Sequence, residues 1–170
     1  MAARAQGYGL GSPPSEAEVS AWDISISPDG EGLPEGRGTV EEGDEVYSIR
    51  CAECHGESGE GGDAEPLAGG YRTLRSPRPL KTVGSYWPYA STVWDYVNRA
   101  MPFDRPGMLT SDQVYSVVAY VLFLNGIVER SAVLNEGNLA DVIMPNRDSF
   151  VPAADIDPVA EPSRPGARGE

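Results

Sequence analysis

Residues 51–55 of this 170-residue chain are Cys-Ala-Glu-Cys-His, and this run limits the possible folds more than any other feature. Two cysteines separated by two residues and followed at once by a histidine form the attachment motif of c-type haem. On a helical turn the thiols of Cys51 and Cys54 lie far enough apart to add to two vinyl groups of one macrocycle. The imidazole of His55 then points at the iron as its proximal ligand. The motif therefore predicts one covalently attached haem c.

Two other interpretations of the motif were weighed against haem attachment. Structural zinc sites usually have four Cys or His ligands, whereas Cys51, Cys54 and His55 are all that this chain holds. A thioredoxin-like redox pair begins a helix after a strand, whereas this motif ends a helical segment and precedes Gly-rich sequence. Haem attachment fits the pattern better than either.

The composition predicts a small, loop-rich domain with an acidic surface. The chain has 20 Gly and 15 Pro but only 3 Phe and 3 Trp, so a haem would add apolar mass to the core. The formal charge of −13 argues against nucleic acid as a partner, because phosphates need a basic surface. It fits either long-range attraction to basic partners or simply a well-solvated surface.

Membrane and export signals are both missing from the sequence. No apolar run approaches the ~20 residues that span a bilayer, so we expect no membrane span. The first residues lack the apolar core of a secretory signal. Covalent haem attachment in bacteria nevertheless takes place outside the cytoplasm. We therefore expect a periplasmic protein whose signal peptide is not part of this sequence.

Three capping boxes indicate where helices begin. In this pattern a Ser or Thr is followed three residues later by Glu or Gln, and it occurs at Ser15, Thr39 and Thr110. The first predicts a short helix to Trp22, and the second predicts a helix of about 12 residues into the haem motif. The third opens the most regular apolar pattern in the chain, which closes at Asn125-Gly126.

A fourth helix is predicted over residues 91–100, ending before Pro102. Its periodicity turns Val93, Trp94 and Val97 to the core and Asp95, Asn98 and Arg99 to water. In the helix that leads to the haem motif, Gly43 and Tyr47 lie one turn apart on one side. This pair lets another helix cross closely, unless Gly43 is merely a tolerated helix glycine.

The sixth iron ligand cannot be a second histidine, because His55 is the only one. Met, Lys, Tyr and a chain terminus remain, or an open position. Met101 is favoured, since it ends a helix and Pro102 fixes the turn that aims its thioether. Met108 and Met144 are the alternatives, and core filling is the other possible role of any one of them.

Further haem contacts are expected from the irregular stretch between residues 71 and 89. In an acidic chain its basic residues are suited to neutralising haem propionates, although a solvated basic turn is an equal alternative. Arg99 completes this basic group. The predicted cofactor contacts here are Arg72, Lys81, Tyr86 and Trp87.

The chain divides into four parts. Residues 1–37 form an extended N-terminal lead and 38–128 the haem domain, in which the first and last helices cross. Residues 129–150 form a C-terminal strap, or one short helix from near Asn138, and 151–170 a disordered tail. The apolar residues of the lead are expected to lie against a surface: Tyr8, Leu10, Trp22, Ile24 and Ile26.

The order of helix, C-x-x-C-H, loop, Met-Pro and capped C-terminal helix resembles class I c-type cytochromes. Several short stretches of the sequence are similar to the cytochrome subunits of bacterial sulfite and sulfane dehydrogenases, which is a more specific resemblance. The resemblance covers about residues 7–150 and rests most on KTVGSYWPYA (81–90), RAMPF (99–103), LNGIV (124–128) and MPNRD (144–148).

The resemblance implies an all-α class I cytochrome c fold with irregular N- and C-terminal extensions. It also implies a non-catalytic electron-transfer subunit, whose donor is a molybdenum-containing dehydrogenase and whose acceptor is a downstream cytochrome or oxidase. Some members of the family carry two haems, whereas this chain has one attachment motif. A free diffusible periplasmic electron carrier is the main alternative.

Overall fold

A computed structural model describes residues 11–151 and confirms a mostly helical fold. Its helical segments include short 3-10 turns, and its only sheet among the described residues has two strands. The longer elements, in chain order, are α1 (Glu16–Trp22), β1 (Arg37–Thr39), α2 (Val40–Arg50), α3 (Ala52–His55), α4 (Val83–Tyr86), α5 (Ala90–Ala100), α6 (Ser111–Leu124) and β2 (Val133–Asn135).

The three predicted capping boxes are confirmed at Ser15, Thr39 and Thr110. A fourth opens α4, where Thr82 caps the helix and Ser85 returns the bond to the Thr82 backbone. The sequence analysis missed this helix, because Ser in place of Glu or Gln falls outside the usual pattern.

The close crossing of α2 and α6 occurs where Gly43 and Tyr47 predict it. A Cβ on Gly43 would overlap the backbone carbonyl of Ser116 in α6. One turn on, the rings of Tyr47 and Tyr120 pack at a tilt of 52°, with their centroids 5.1 Å apart. Residues 114–122 of α6 are all buried, so this helix is the centre of the core.

The N-terminal lead has two parts that differ in packing. Ile26 is only 7% exposed and belongs to the core. The Pro28 carbonyl accepts a hydrogen bond from Ser91 Oγ at 2.9 Å, and the Pro34 carbonyl accepts one from Tyr115 Oη at 2.9 Å. Trp22 and Ile24 do not pack in this core, since they are 87% and 50% exposed, so a surface against them stays a prediction. Tyr8 and Leu10 lie outside the described residues.

Asp95 does not face water as its helical periodicity suggests. It is 8% exposed, and its Oδ1 accepts the backbone N–H of Ile26 at 3.1 Å. The guanidinium of Arg99 donates to both oxygens of the same carboxylate. The burial comes from a segment 69 residues away in the chain, which periodicity alone cannot reveal.

The strap returns along the lead. Strand β2 pairs antiparallel with β1, with Gly38 opposite Leu134. Leu134, Leu139 and Met144 are buried. The helix expected near Asn138 is a single 3-10 turn over Leu139–Asp141.

Within residues 11–151 no helix has both the length and the apolar character that crossing a membrane requires. The predicted disordered tail lies beyond the described residues, apart from Val151.

Candidate haem site

The C-x-x-C-H motif lies at the junction of α2 and α3. The backbone N–H of Cys51 donates to the Tyr47 carbonyl at 2.8 Å and so ends α2. The Cys51 carbonyl accepts the N–H of His55 at 2.9 Å in the short α3 turn. Cys51 is half-buried and Cys54 exposed, and both thiols are free. A helix, and not a strand, precedes the motif, which is unlike the thioredoxin-type arrangement.

One nitrogen of the His55 ring is already engaged. Nδ1 lies 2.7 Å from the backbone carbonyl of Glu65. Because a carbonyl only accepts, Nδ1 must carry the proton and donate. The unprotonated Nε2 is then the nitrogen that can bind iron. A metal-binding histidine commonly has its other N–H held in this way, which fixes both tautomer and ring orientation.

The Gly-rich loop after the motif folds back onto the motif's own backbone. Gly61 N–H donates to the His55 carbonyl at 2.7 Å, and Ala64 N–H donates to the Cys54 carbonyl at 2.9 Å. The Tyr47 hydroxyl donates to the Gly56 carbonyl at 2.9 Å from the opposite side. The loop therefore supports the position of the cysteines and the histidine.

The surroundings of Cys51 are apolar. Burial, with a smaller contribution from Cys54, raises the pKa of the Cys51 thiol to about 11. A zinc site would need both cysteines as thiolates, whereas the sulfur of a thioether is uncharged. A buried, neutral sulfur therefore fits covalent haem attachment. Among residues 11–151, no three His, Cys, Asp or Glu side chains form a group able to hold a metal ion.

The three candidate methionines have different surroundings. Met101 ends α5, where its N–H donates to the Val97 carbonyl at 3.0 Å, and it is half-buried. Met108 is 38% exposed in the following loop. Met144 is 1% exposed and belongs to the hydrophobic core, an environment that corresponds to core filling. Met101 is thus the candidate that is neither sealed in the core nor on an open loop.

The predicted propionate contacts are distributed over the segment before α5. Lys81 Nζ lies 5.0 Å from the centre of the Tyr86 ring, so these two residues are in contact. Trp87 packs edge-on against Tyr96 at 5.7 Å. Arg72 is exposed and lies over Tyr71. Arg99, grouped with them by sequence, is instead paired with Asp95.

Two asparagines, Asn125 and Asn146, hold this segment in place. Asn125 Oδ1 accepts the Gly69 N–H at 3.2 Å, and Asn125 Nδ2 donates to the Leu67 carbonyl at 3.0 Å. Buried Asn146 donates to the Tyr86 carbonyl at 2.7 Å. Both lie in the blocks LNGIV and MPNRD, which carried the family resemblance, but only the structure reveals their contacts.

The comparisons with known proteins agree with this site. The profile of the family described as cytochrome c oxidase, cbb3-type, subunit III, matches residues 38–121. A solved structure, the sulfane dehydrogenase SoxCD from Paracoccus pantotrophus, contains a chain 47% identical to this one. The match has a TM-score of 0.80 and covers 86% of this chain and 72% of that one. No curated protein sequence matches the chain. The chain therefore belongs to the class I c-type cytochromes, which transfer electrons through haem c.

Proposed function

We propose that the chain is the monohaem electron-transfer subunit of a periplasmic sulfite or sulfane dehydrogenase. A molybdenum-containing subunit would oxidise the sulfur compound, and a downstream cytochrome or oxidase would accept the electrons. The observation that carries the proposal is the 47% identity to a chain of a sulfane dehydrogenase over 86% of this sequence. Catalysis belongs to the partner in this scheme, and the chain relays electrons.

The residues of the motif would hold one haem c, which supplies an iron centre that takes up and releases single electrons. Cys51 and Cys54 would form the two thioether links. His55 would bind the iron through Nε2, because the Glu65 carbonyl holds the proton on Nδ1. Met101 would supply a thioether as the second protein ligand, a ligand type that raises the reduction potential.

The remaining predicted contacts would orient the haem. Lys81 and Arg72 supply positive charge for the propionates, and Tyr86 and Trp87 supply polar aromatic edges. Electrons would pass at the rim formed by residues 101–108, where Phe103 is 88% exposed. An exposed apolar side chain beside the Met101 turn lets a partner approach closely.

The axial ligand is tested by replacing Met101 with Ala. The variant should lose the weak thioether-to-iron absorption band at the red end of the spectrum and should bind small ligands at the iron. Met108→Ala is the matched control, because it removes a thioether from the same loop and should leave the band intact. Loss of the band in Met108→Ala, and not in Met101→Ala, would reassign the ligand.

The donor is tested with a molybdenum-containing chain, which we expect to copurify with the protein. Addition of sulfite, or of a sulfane-sulfur substrate, should reduce the haem in the complex. A subunit should stay bound to this donor as ionic strength rises. A free diffusible carrier, the alternative function, should dissociate, because salt screens electrostatic attraction beyond about 8–10 Å.

A further inference from the structure

The segment from residue 11 to residue 24 packs on nothing in the described chain. Helix α1 has no buried residue, although a capping box fixes its first turn. Isolated helices this short are marginal in water, because the nucleation cost is not recovered. A stable helix therefore calls for a surface that residues 25–151 do not supply to α1.

The exposed face of this segment is apolar. Val19 and Trp22 lie three positions apart on one side of α1, where side chains are neighbours. They are 49% and 87% exposed, and Ile24 just beyond is 50% exposed. Val19, Trp22 and Pro14 line a shallow groove that Glu18 and Asp23 border. An exposed tryptophan surrounded by polar groups is a common centre of a binding surface.

The charge of the segment indicates what covers it. Between residues 11 and 36 there are six carboxylates and no Lys or Arg. The whole chain carries a formal charge of −13, so a second copy would be repelled. A complementary surface would have an apolar pocket with a basic rim, and a protein other than this one would carry it.

The base of the segment is fixed to the haem domain. Ile26 is buried, and its N–H is bound to Asp95 of α5. Ser91, one turn earlier in α5, holds the Pro28 carbonyl. A partner bound to α1 would therefore be held at a set distance from the helix that ends at Met101.

We propose that residues 11–24 form a docking arm, with Trp22 as its anchor, that binds an apolar, basic-rimmed pocket on the dehydrogenase subunit. This inference rests on the proposed function. The arm keeps the subunit attached, whereas electrons pass elsewhere, at the rim of residues 101–108. Within the extended lead of residues 1–37, the proposal therefore assigns partner binding to residues 11–24.

The test uses the haem-loaded protein and the molybdenum-containing chain that we expect to copurify with it. Trp22→Ala should weaken the complex about 30-fold, the loss typical of a tryptophan at the centre of an interface. Ile143→Ala is the matched control, because Ile143 is 79% exposed on the strap and should leave the affinity unchanged. Deletion of residues 11–23 should weaken binding at least as much and leave the haem spectrum and melting temperature unaltered.

The charge is tested separately. Joint replacement of Glu16 and Glu18 by Gln and of Asp23 by Asn should slow association and reduce its dependence on salt. Gln keeps the capping box of α1, so the helix itself is preserved. Unchanged affinity for both Trp22→Ala and the deletion, with the complex intact, would overturn the arm and leave the proposed function standing. Failure to recover any molybdenum-containing chain with the unmutated protein would overturn both.

Discussion

Helices α1 and α2 begin with the same capping box but lie in opposite environments, one exposed and one packed on the core. In α1 the Ser15 N–H donates to Glu18 Oε2 at 2.8 Å, and in α2 the Thr39 N–H donates to Glu42 Oε2 at 2.8 Å. The Thr39 hydroxyl and N–H lower the pKa of Glu42 from the ordinary value of 4.5, and the Ser15 N–H and hydroxyl lower that of Glu18. Yet α1 buries no side chain, whereas α2 lies against the centre of the core.

The difference comes from one face of each helix. Gly43 and Tyr47 let α2 approach α6 so closely that backbone and ring contacts replace water. On α1 the corresponding positions are Val19 and Asp23, and neither lets another helix come as near. A capping box thus determines where a helix starts, while the small and aromatic residues of one face determine what it packs against.

The largest loss of stability should follow from adding a side chain at Gly43, where α2 and α6 cross. Gly43→Ala should lower the free energy of unfolding by about 3 kcal/mol, because its Cβ would overlap the Ser116 carbonyl and push the helices apart. The gain in helix propensity, about 1 kcal/mol, is too small to offset this. Denaturant unfolding of the haem-loaded protein measures the change.

Glu45→Ala in the same helix is the control for that substitution. Its side chain is exposed, so the free energy of unfolding should change little. Unaltered stability in Gly43→Ala would mean that the two helices do not cross as closely as described.

A smaller and more selective effect is expected from removing the two caps. Thr39→Ala should lower the free energy of unfolding by about 1 kcal/mol, because it leaves a backbone N–H of α2 without its acceptor. Ser15→Ala should have no measurable effect, since α1 frays without exposing any core. Equal losses in both variants would show that α1 unfolds together with the domain.

The smallest effect should be in pH dependence. The lowered pKa of Glu42 means that its contribution is present above the ordinary value of 4.5 and is lost as pH falls through the folded value. Between about pH 6 and pH 3, Glu42→Gln should therefore lose less stability than the unmutated protein. Glu18→Gln should match the unmutated protein at every pH. Chemical denaturation across this range measures both.

Local signals in the sequence predicted most of the fold. Each of these signals is formed by residues that are close together in sequence, so the sequence displays it directly. They are the haem motif, the capping boxes, the apolar stripe of α6 and the Gly43–Tyr47 pair. Asp95 could not be placed in this way, because its partner Ile26 lies 69 residues away. The pairing of β1 with β2 was missed for the same reason.

In the candidate site, too, features local in sequence could be predicted, whereas contacts between distant segments could not. Cys51, Cys54 and His55 form a motif that is evident from its spacing, and the prediction that Met101 is a ligand rests on the proline beside it. The acceptor for the His55 ring is a backbone carbonyl, which every residue possesses, so no residue type marks it. Asn125 and Asn146 donate hydrogen bonds to backbone carbonyls that are distant in sequence. Their roles therefore depend on how the loops fold, which local sequence patterns do not show.

The carbonyl that holds His55 has a consequence for how charge moves. A carboxylate in that place could draw the Nδ1 proton toward itself and give the imidazole anionic character, but the Glu65 carbonyl is no base at physiological pH. If His55 binds the iron as proposed, the Glu65 carbonyl cannot accept the Nδ1 proton. Electron transfer would then require no proton transfer to this hydrogen-bond partner.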